Sequence, residues 1–223
     1  MALHWQQHLF ETLYKNRYLY WFASTMPFDG QWRIWQRLVL PRLQGHDVLE
    51  LGCGTGELLA DMIDAGYNCY AIDQSQEMVN AACSTLQTRH LSEPTKLRKG
   101  DAQELPFDSA SFDNVVSVFP SEYILNSKTL SQIERVLRPG GRLIVVLTFK
   151  PAPIGFISPL SFIIHLFTYG FGVFCRSDEE VSQRVDELMR PLLEQHGLCY
   201  RSELVDSQHW KVCIVSGEKP KFR

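Results

Sequence analysis

From Asp47 onward the chain alternates between two hydrophobic periods. The segments "DVLEL" (47–51), "NCYAID" (68–73), "FDNVVSVFP" (112–120) and "RLIVVLTF" (142–149) are short, nearly continuous apolar runs. Bounded by turn residues, such runs read as strands buried in a sheet. Between them, "GELLADMIDAG" (56–66), "SQEMVNAACSTLQTRH" (75–90) and "KTLSQIERVLRPGG" (128–141) space apolar residues three and four apart, the period of a helix with one buried face. Ser75 suits an N-cap, with Met78 and Val79 facing inward, and Pro-Gly-Gly stops the third helix. "TKLRKG" (95–100) is a weaker strand, and "SDEEVSQRVDELMRPLLEQHG" (177–197) an amphipathic helix. Two strands then follow with no helix between them, "LCYRSELVD" (198–206) and "WKVCIVSGE" (210–218), and should pair as a hairpin at one edge. Strand–helix alternation implies right-handed crossovers, so the predicted fold class is α/β with a mostly parallel sheet covered on both faces.

Two segments depart from this alternation. Residues 1–45 read as a helical cap, unusually aromatic, with Phe10, Tyr14, Tyr18 and Phe22 along one helix face and Trp32 and Trp35 on a helix starting after "MPFDG" (26–30). Residues 46–223 then form the main domain. Within it, 151–175 carries no Asp, Glu, Lys or Arg. A bilayer span takes about twenty apolar residues, so length alone would allow one. Pro153, Gly155, Pro159, Gly170 and Gly172 interrupt a single helix, however, the charged flanks are thin, and a span here would divide a domain whose sheet is incomplete. The segment is expected to be a hydrophobic lid, with "SPLSFIIHLFTYGFG" (158–172) as a short helix.

A hydrophobic fraction of 45% and a charged fraction of 21% over 223 residues are those of a soluble globular protein. The net charge of −3 gives no electrostatic reason to expect nucleic acid. The six cysteines, at 53, 69, 83, 175, 199 and 213, form no C-x-x-C pair, and Cys69 and Cys213 sit where a thiol acts as a small hydrophobe. That usage, with no signal-peptide pattern at the N-terminus, suggests the cytoplasm. His4 and His8 have helical metal-pair spacing but no third ligand beside them, so no metal is expected.

Candidate chemistry begins where the first strand enters "ELGCGTGELL" (50–59). Gly52, Gly54 and Gly56 let backbone approach a ligand closely, and the helix behind offers free N–H groups. Asp73, ending the second strand, is placed to accept hydrogen bonds from a ribose diol. A dinucleotide fingerprint would want a third glycine at position 57, which is Glu57, a poor neighbour for a pyrophosphate. Glu50 suits a ligand carrying an ammonium group instead.

Taken with the Asp73 strand end, "VLELGCGTG" (48–56), "GDAQELPF" (100–107), "SFDNVVSVFP" (111–120) and "RVLRPGGRL" (135–143) resemble the class I S-adenosylmethionine-dependent methyltransferases. The likeness is greatest to the small-molecule branch that includes ubiquinone and menaquinone methyltransferases. It implies a Rossmann-like seven-stranded sheet with the last strand antiparallel, and S-adenosyl-L-methionine as cofactor. Glu50, Gly52 and Gly54 would hold its methionine end, in a loop completed by Cys53 and Gly56. Asp73 would bind the ribose hydroxyls, Gln74 and Met78 would pack near the adenine, and Asp101 and Ala102 would meet its amino edge. Phe119 would lie under the sulfonium side.

The segment after the fourth strand, "FPSEYI" (119–124), is neither the Asn/Asp-Pro-Pro-Tyr of amino-directed enzymes nor the Pro-Cys of cytosine-directed ones. With the acidic balance, this argues against nucleic acid. Glu122 or Tyr123 is placed to deprotonate or orient an acceptor, although Tyr123 in the core and Glu122 capping the next helix would serve structure alone. His165 in the lid is a further candidate base. The expected function is methyl transfer to a small, apolar acceptor such as an isoprenoid, quinone precursor, aromatic or lipid, with lipid or membrane-surface contact through the lid as a second use of that surface. A cofactor-binding accessory protein without turnover is the alternative class.

Overall fold

The computed structural model of the chain describes residues 28, 30–91, 96–150, 158, 159, 161, 176–208 and 210–221. Helix α1 (Gln31–Arg37) and a 3-10 turn (Leu40–Arg42) precede β1 (Asp47–Leu51). Then come α2 (Glu57–Asp64), β2 (Asn68–Asp73), α3 (Gln76–Thr88), β3 (Leu97–Lys99) and β4 (Phe112–Val118). A 3-10 turn (Glu122–Leu125), α4 (Ser127–Val136), β5 (Leu137–Lys150), α5 (Asp178–Gln195), β6 (Cys199–Ser207) and β7 (Trp210–Glu218) complete the order.

The strands form one seven-stranded sheet, β3-β2-β1-β4-β5-β7-β6. Its first five members are parallel, while β7 runs antiparallel to both β5 and β6. The α/β class and the edge hairpin are therefore as the sequence predicts. Alternating side chains divide the core between two faces. Val48, Val116, Ile144, Val146 and Ile214 pack with Trp35, Val39, Leu58 and Met62 on one face. Leu49, Val115, Leu143, Val145 and Val215 meet Leu130 and Ile133 of α4 and Val185, Met189 and Leu193 of α5 on the other.

Ser75 caps α3 by accepting from the Met78 N–H, and Met78 and Val79 are buried. Helix α4 stops before the Pro-Gly-Gly at 139–141 expected to end it. It ends at Val136, because the carbonyls of Arg135 and Val136 accept from the Ala110 and Ser111 N–H groups. A proline at 139 also disfavours helical backbone in the residue before it. Leu137–Gly141 therefore joins β5, with a register shift opposite Phe112–Asn114. Strand β4 likewise ends at Val118, two residues short of the predicted boundary.

Of the expected lid, only Ser158, Pro159 and Ser161 are described: Pro159 and Ser161 are helical, and Ser158 Oγ accepts from the Ser161 N–H at 3.2 Å. His165, the remainder of 151–175 and Phe10, Tyr14, Tyr18 and Phe22 lie outside the described residues. Among the described residues no helix is long and apolar enough to cross a membrane.

Candidate active site

Strand β1 delivers Glu50 and the glycine loop to the carboxyl end of the sheet, where ligands of open α/β folds sit. Gly52 has φ 71°, and a Cβ there would lie 2.9 Å from the Tyr123 hydroxyl oxygen. Its N–H and that of Cys53 donate to the Ile72 carbonyl at 2.8 and 3.3 Å. At Gly56, φ is 75° and a Cβ would lie 2.7 Å from the Cβ of Ala82, so this glycine lets α2 start against α3.

Glu50 is 3% exposed, and its Oε2 has no hydrogen-bond partner among the described residues. Burial pushes its carboxyl up to about 8; Asp73 and Asp61 push the same way, and the Arg33 guanidinium opposes them. A buried, unpaired carboxylate is costly, and it is relieved by a cation placed against it. Asp73 is anchored differently: Oδ2 accepts from the Gly54 N–H at 2.9 Å and Oδ1 from the Ser75 N–H at 2.8 Å. Burial raises its carboxyl, and those two donors work against the rise. Each oxygen keeps capacity for a further donor such as a ribose hydroxyl.

The neighbouring loop follows directly, since the Gly100 N–H donates to the Asp73 carbonyl at 3.0 Å. Asp101 is exposed and accepts from the Gln103 N–H at 2.9 Å, Ala102 is half-buried, Gln74 is exposed and Met78 is buried. Arg135 of α4 fixes this loop by donating to the carbonyls of Phe107 and Leu105 at 2.6 and 2.9 Å.

Phe119 leaves β4 with φ 47°, unusual for a residue with a side chain. Its N–H donates to the Val146 carbonyl at 2.7 Å. The ring stacks on Trp32 with centroids 4.4 Å apart and meets Trp35 edge-on at 5.8 Å. Phe28, Phe149 and Trp210 extend the group into an aromatic wall, with Trp35 stacked on Phe149 at 5.3 Å. The Trp35 indole N–H donates to Ser207 Oγ at 3.1 Å, tying α1 to the β6–β7 turn.

Glu122 is exposed, and it is Asn126 that caps α4, accepting from the Lys128 N–H at 2.8 Å. The Tyr123 hydroxyl donates to the Leu51 carbonyl at 2.9 Å and lies 2.6 Å from Ser117 Oγ. Its oxygen thus braces the β1 end from which the glycine loop leaves. The structure brings Glu50, Gly52, Cys53, Gly54, Gly56, Asp73, Asp101 and Tyr123 to one sheet edge, with Phe119 on the side facing α1.

Sequence reading missed Asp61, which is 6% exposed and takes Arg33 at 2.7 Å and Arg37 and Arg89 at 2.8 Å each. Burial pushes this carboxyl up, but the three arginines outweigh burial and hold it below the ordinary range. An acidic residue between Ala60 and Met62, inside an apolar stretch, was the available signal; which cations meet it depends on tertiary contact. A separate groove of about 270 Å³ is lined by Arg42, Arg142, Arg201, Glu203 and Glu218 among others, from β5, β6, β7 and the turn before β1. Arg42–Glu203 and Arg142–Glu218 are internally paired there. Burial pushes the thiols of Cys53, Cys69 and Cys213 up, to about 12 for Cys69 and about 11 for Cys213, so they act as packing groups.

Residues 49–145 match the family described as a methyltransferase domain. The demethylmenaquinone methyltransferase of Beutenbergia cavernae is 31% identical over 173 residues, covering 76% of this chain and 70% of that protein. The corresponding enzyme of Lactobacillus johnsonii is 31% identical over 124 residues, 52% of this chain and 51% of its own length, so the chain spans about half of some curated relatives it matches. Among solved structures, the phosphoethanolamine N-methyltransferase 2 of Haemonchus contortus, in complex with phosphomonomethylethanolamine and S-adenosylhomocysteine, has a TM-score of 0.59 at 17% identity. That likeness covers 92% of this chain and 56% of that one, and it concerns the fold.

Proposed function

This chain belongs to the class I S-adenosylmethionine-dependent methyltransferases, and from that premise we propose that it methylates a small, apolar acceptor bound against the aromatic wall. The carrying observation is Glu50: a buried carboxylate with an oxygen that has no partner among the described residues, beside a glycine loop, suits an amino-acid ammonium. When bound, S-adenosylmethionine would supply an electrophilic methyl carbon, which the acceptor attacks in line as the carbon–sulfur bond breaks and S-adenosylhomocysteine leaves. Glu50 holds the ammonium, Gly52 and Gly54 let backbone close on the methionine arm, and Asp73 holds the ribose. Gln74, Met78, Asp101 and Ala102 border the adenine.

In-line displacement needs positioned partners and excluded water rather than an enzyme nucleophile. Trp32, Phe119 and Phe149 offer partly exposed apolar surface for that purpose, backed by buried Phe28, Trp35 and Trp210. Tyr123, with its hydroxyl committed to Leu51 and Ser117, acts as a positioning residue for the loop. The aromatic wall favours a quinone precursor, isoprenoid or other lipid-like acceptor over a hydrophilic one.

The test incubates the protein with methyl-labelled S-adenosylmethionine and cell extract, then partitions the products. Label in the organic phase supports the apolar acceptor. Label only in the aqueous phase retains the enzyme and overturns that acceptor class. Cofactor binding without transfer in any extract points to an accessory role.

A further inference from the structure

A zwitterionic ligand arm that places its ammonium on Glu50 brings a carboxylate along with it, and that anion needs a cation nearby. Arg33 is the guanidinium that acts on Glu50, and its side chain is partly exposed, at 33%. Its Nη2 lies 3.5 Å from Glu57 Oε2, on the first residue after the glycine loop, and 2.7 Å from Asp61 Oδ2. Its Nη1 donates to Gln36 Oε1 at 2.8 Å, whereas Nε–H has no partner among the described residues. Asp61 is itself held by Arg37 and Arg89, so Arg33 rests on a carboxylate that the other two keep in place. One residue earlier, Trp32 stacks on Phe119.

We propose that Arg33 binds the α-carboxylate of the cofactor's amino-acid arm, completing on α1 the site that Glu50 begins on β1. The assignment rests on the cofactor reading above. It gives the zwitterion two opposite partners from separate elements, so a ligand with both charges gains twice where a neutral one gains nothing. Charge-assisted hydrogen bonds from a planar guanidinium to a carboxylate are among the stronger polar contacts available. Asp61 is then the residue that orients Arg33. Because Trp32 and Arg33 are consecutive on one short helix, holding Arg33 also holds the ring that faces Phe119.

The experiment is a calorimetric comparison of three probes: S-adenosylhomocysteine, decarboxylated S-adenosylmethionine, which keeps the ammonium but lacks the carboxylate, and methylthioadenosine, which lacks both. They are titrated into the wild type, Arg33→Gln, Arg33→Lys and Arg37→Gln. The expected result is that Arg33→Gln weakens S-adenosylhomocysteine about ten- to a hundredfold and leaves the other two probes unchanged. Arg33→Lys should recover part of the loss. Arg37→Gln disturbs the same Asp61 cluster without removing the proposed contact, and should weaken S-adenosylhomocysteine much less than Arg33→Gln does. Equal weakening of all three probes by Arg33→Gln, or an equal loss from Arg37→Gln, would make Arg33 a purely structural residue and overturn the proposal. If the wild type binds methylthioadenosine but gains nothing from the amino-acid arm, the carboxylate assignment fails while the nucleoside site survives. If it binds none of the three, the cofactor reading fails and takes this assignment with it.

Discussion

At the residue scale, Glu50 couples stability to pH. Its carboxyl is raised from the usual range to about 8 by burial, so the folded chain keeps a proton that the unfolded chain has lost. Its stabilising contribution is complete below the unfolded value near 4.5 and is lost as pH rises through about 8. Glu50→Gln should therefore make the ligand-free protein more stable at pH 8, on the order of a few kcal/mol, and should weaken the thermal shift expected from S-adenosylhomocysteine. Melting curves between pH 5 and pH 8 measure both. Gly52 and Tyr123 form a second testable pair. Gly52→Ala faces a left-handed backbone and the Tyr123 hydroxyl 2.9 Å from the new Cβ, so a loss of about 1–2 kcal/mol is expected. Tyr123→Phe alone should cost about 1 kcal/mol through the lost bonds of its hydroxyl to the Leu51 carbonyl and Ser117, which keep the Ser117–Leu51 bond at 3.1 Å between them. Made together they should cost less than the sum, because the collision disappears; strict additivity in chemical denaturation would count against this account.

At the element scale, helix caps decide where the polypeptide changes direction. Asn126→Ala should destabilise by about 1 kcal/mol, since its side chain accepts the Lys128 N–H at the start of α4, and urea titration reads that directly. Ser177 and Glu180 make a reciprocal box at the start of α5. How far such elements were legible in the sequence follows from where their determinants lie. Strands β1, β2, β4 and β5 announced themselves because both of their faces are apolar, and the Ser75 cap because it stands directly before a periodic run. The end of α4 was misread, since Arg135 and Val136 surrender their carbonyls to Ala110 and Ser111, a long-range contact that no local pattern carries. Glu50, the three glycines and Asp73 could be picked out from type and spacing, and the structure brings them to the carboxyl end of the sheet. The placement of Arg33 could not, because Asp61 and Glu57 approach it only after α1 docks on α2.

At the scale of the whole molecule, ion clusters at opposite ends of the sheet pin the layers together. Near the foot of β1 and β4, Arg138 meets Asp47 at 2.7 Å and Asp113 at 2.9 Å; toward the ligand end, Asp61 gathers Arg33, Arg37 and Arg89 from α1 and α3. Asp47, Asp61 and Asp113 are all held below the ordinary carboxylate range. Their contribution is present above the unfolded value near 3.8 and is lost as pH falls through the lower folded values. Asp61→Asn should flatten the acid limb of the stability curve below about pH 4 while leaving the Glu50 limb at higher pH in place, as pH-dependent unfolding would show. The aromatic wall carries an optical consequence. Three of the chain's five tryptophans stand in it, with Trp35 and Trp210 rings 5.3 Å apart and Trp32 lying on Phe119. Indoles that close mix their excited states, so the near-ultraviolet circular dichroism of the protein should be dominated by this one corner. An acceptor settling against Trp32 would then announce itself in the spectrum with no label attached.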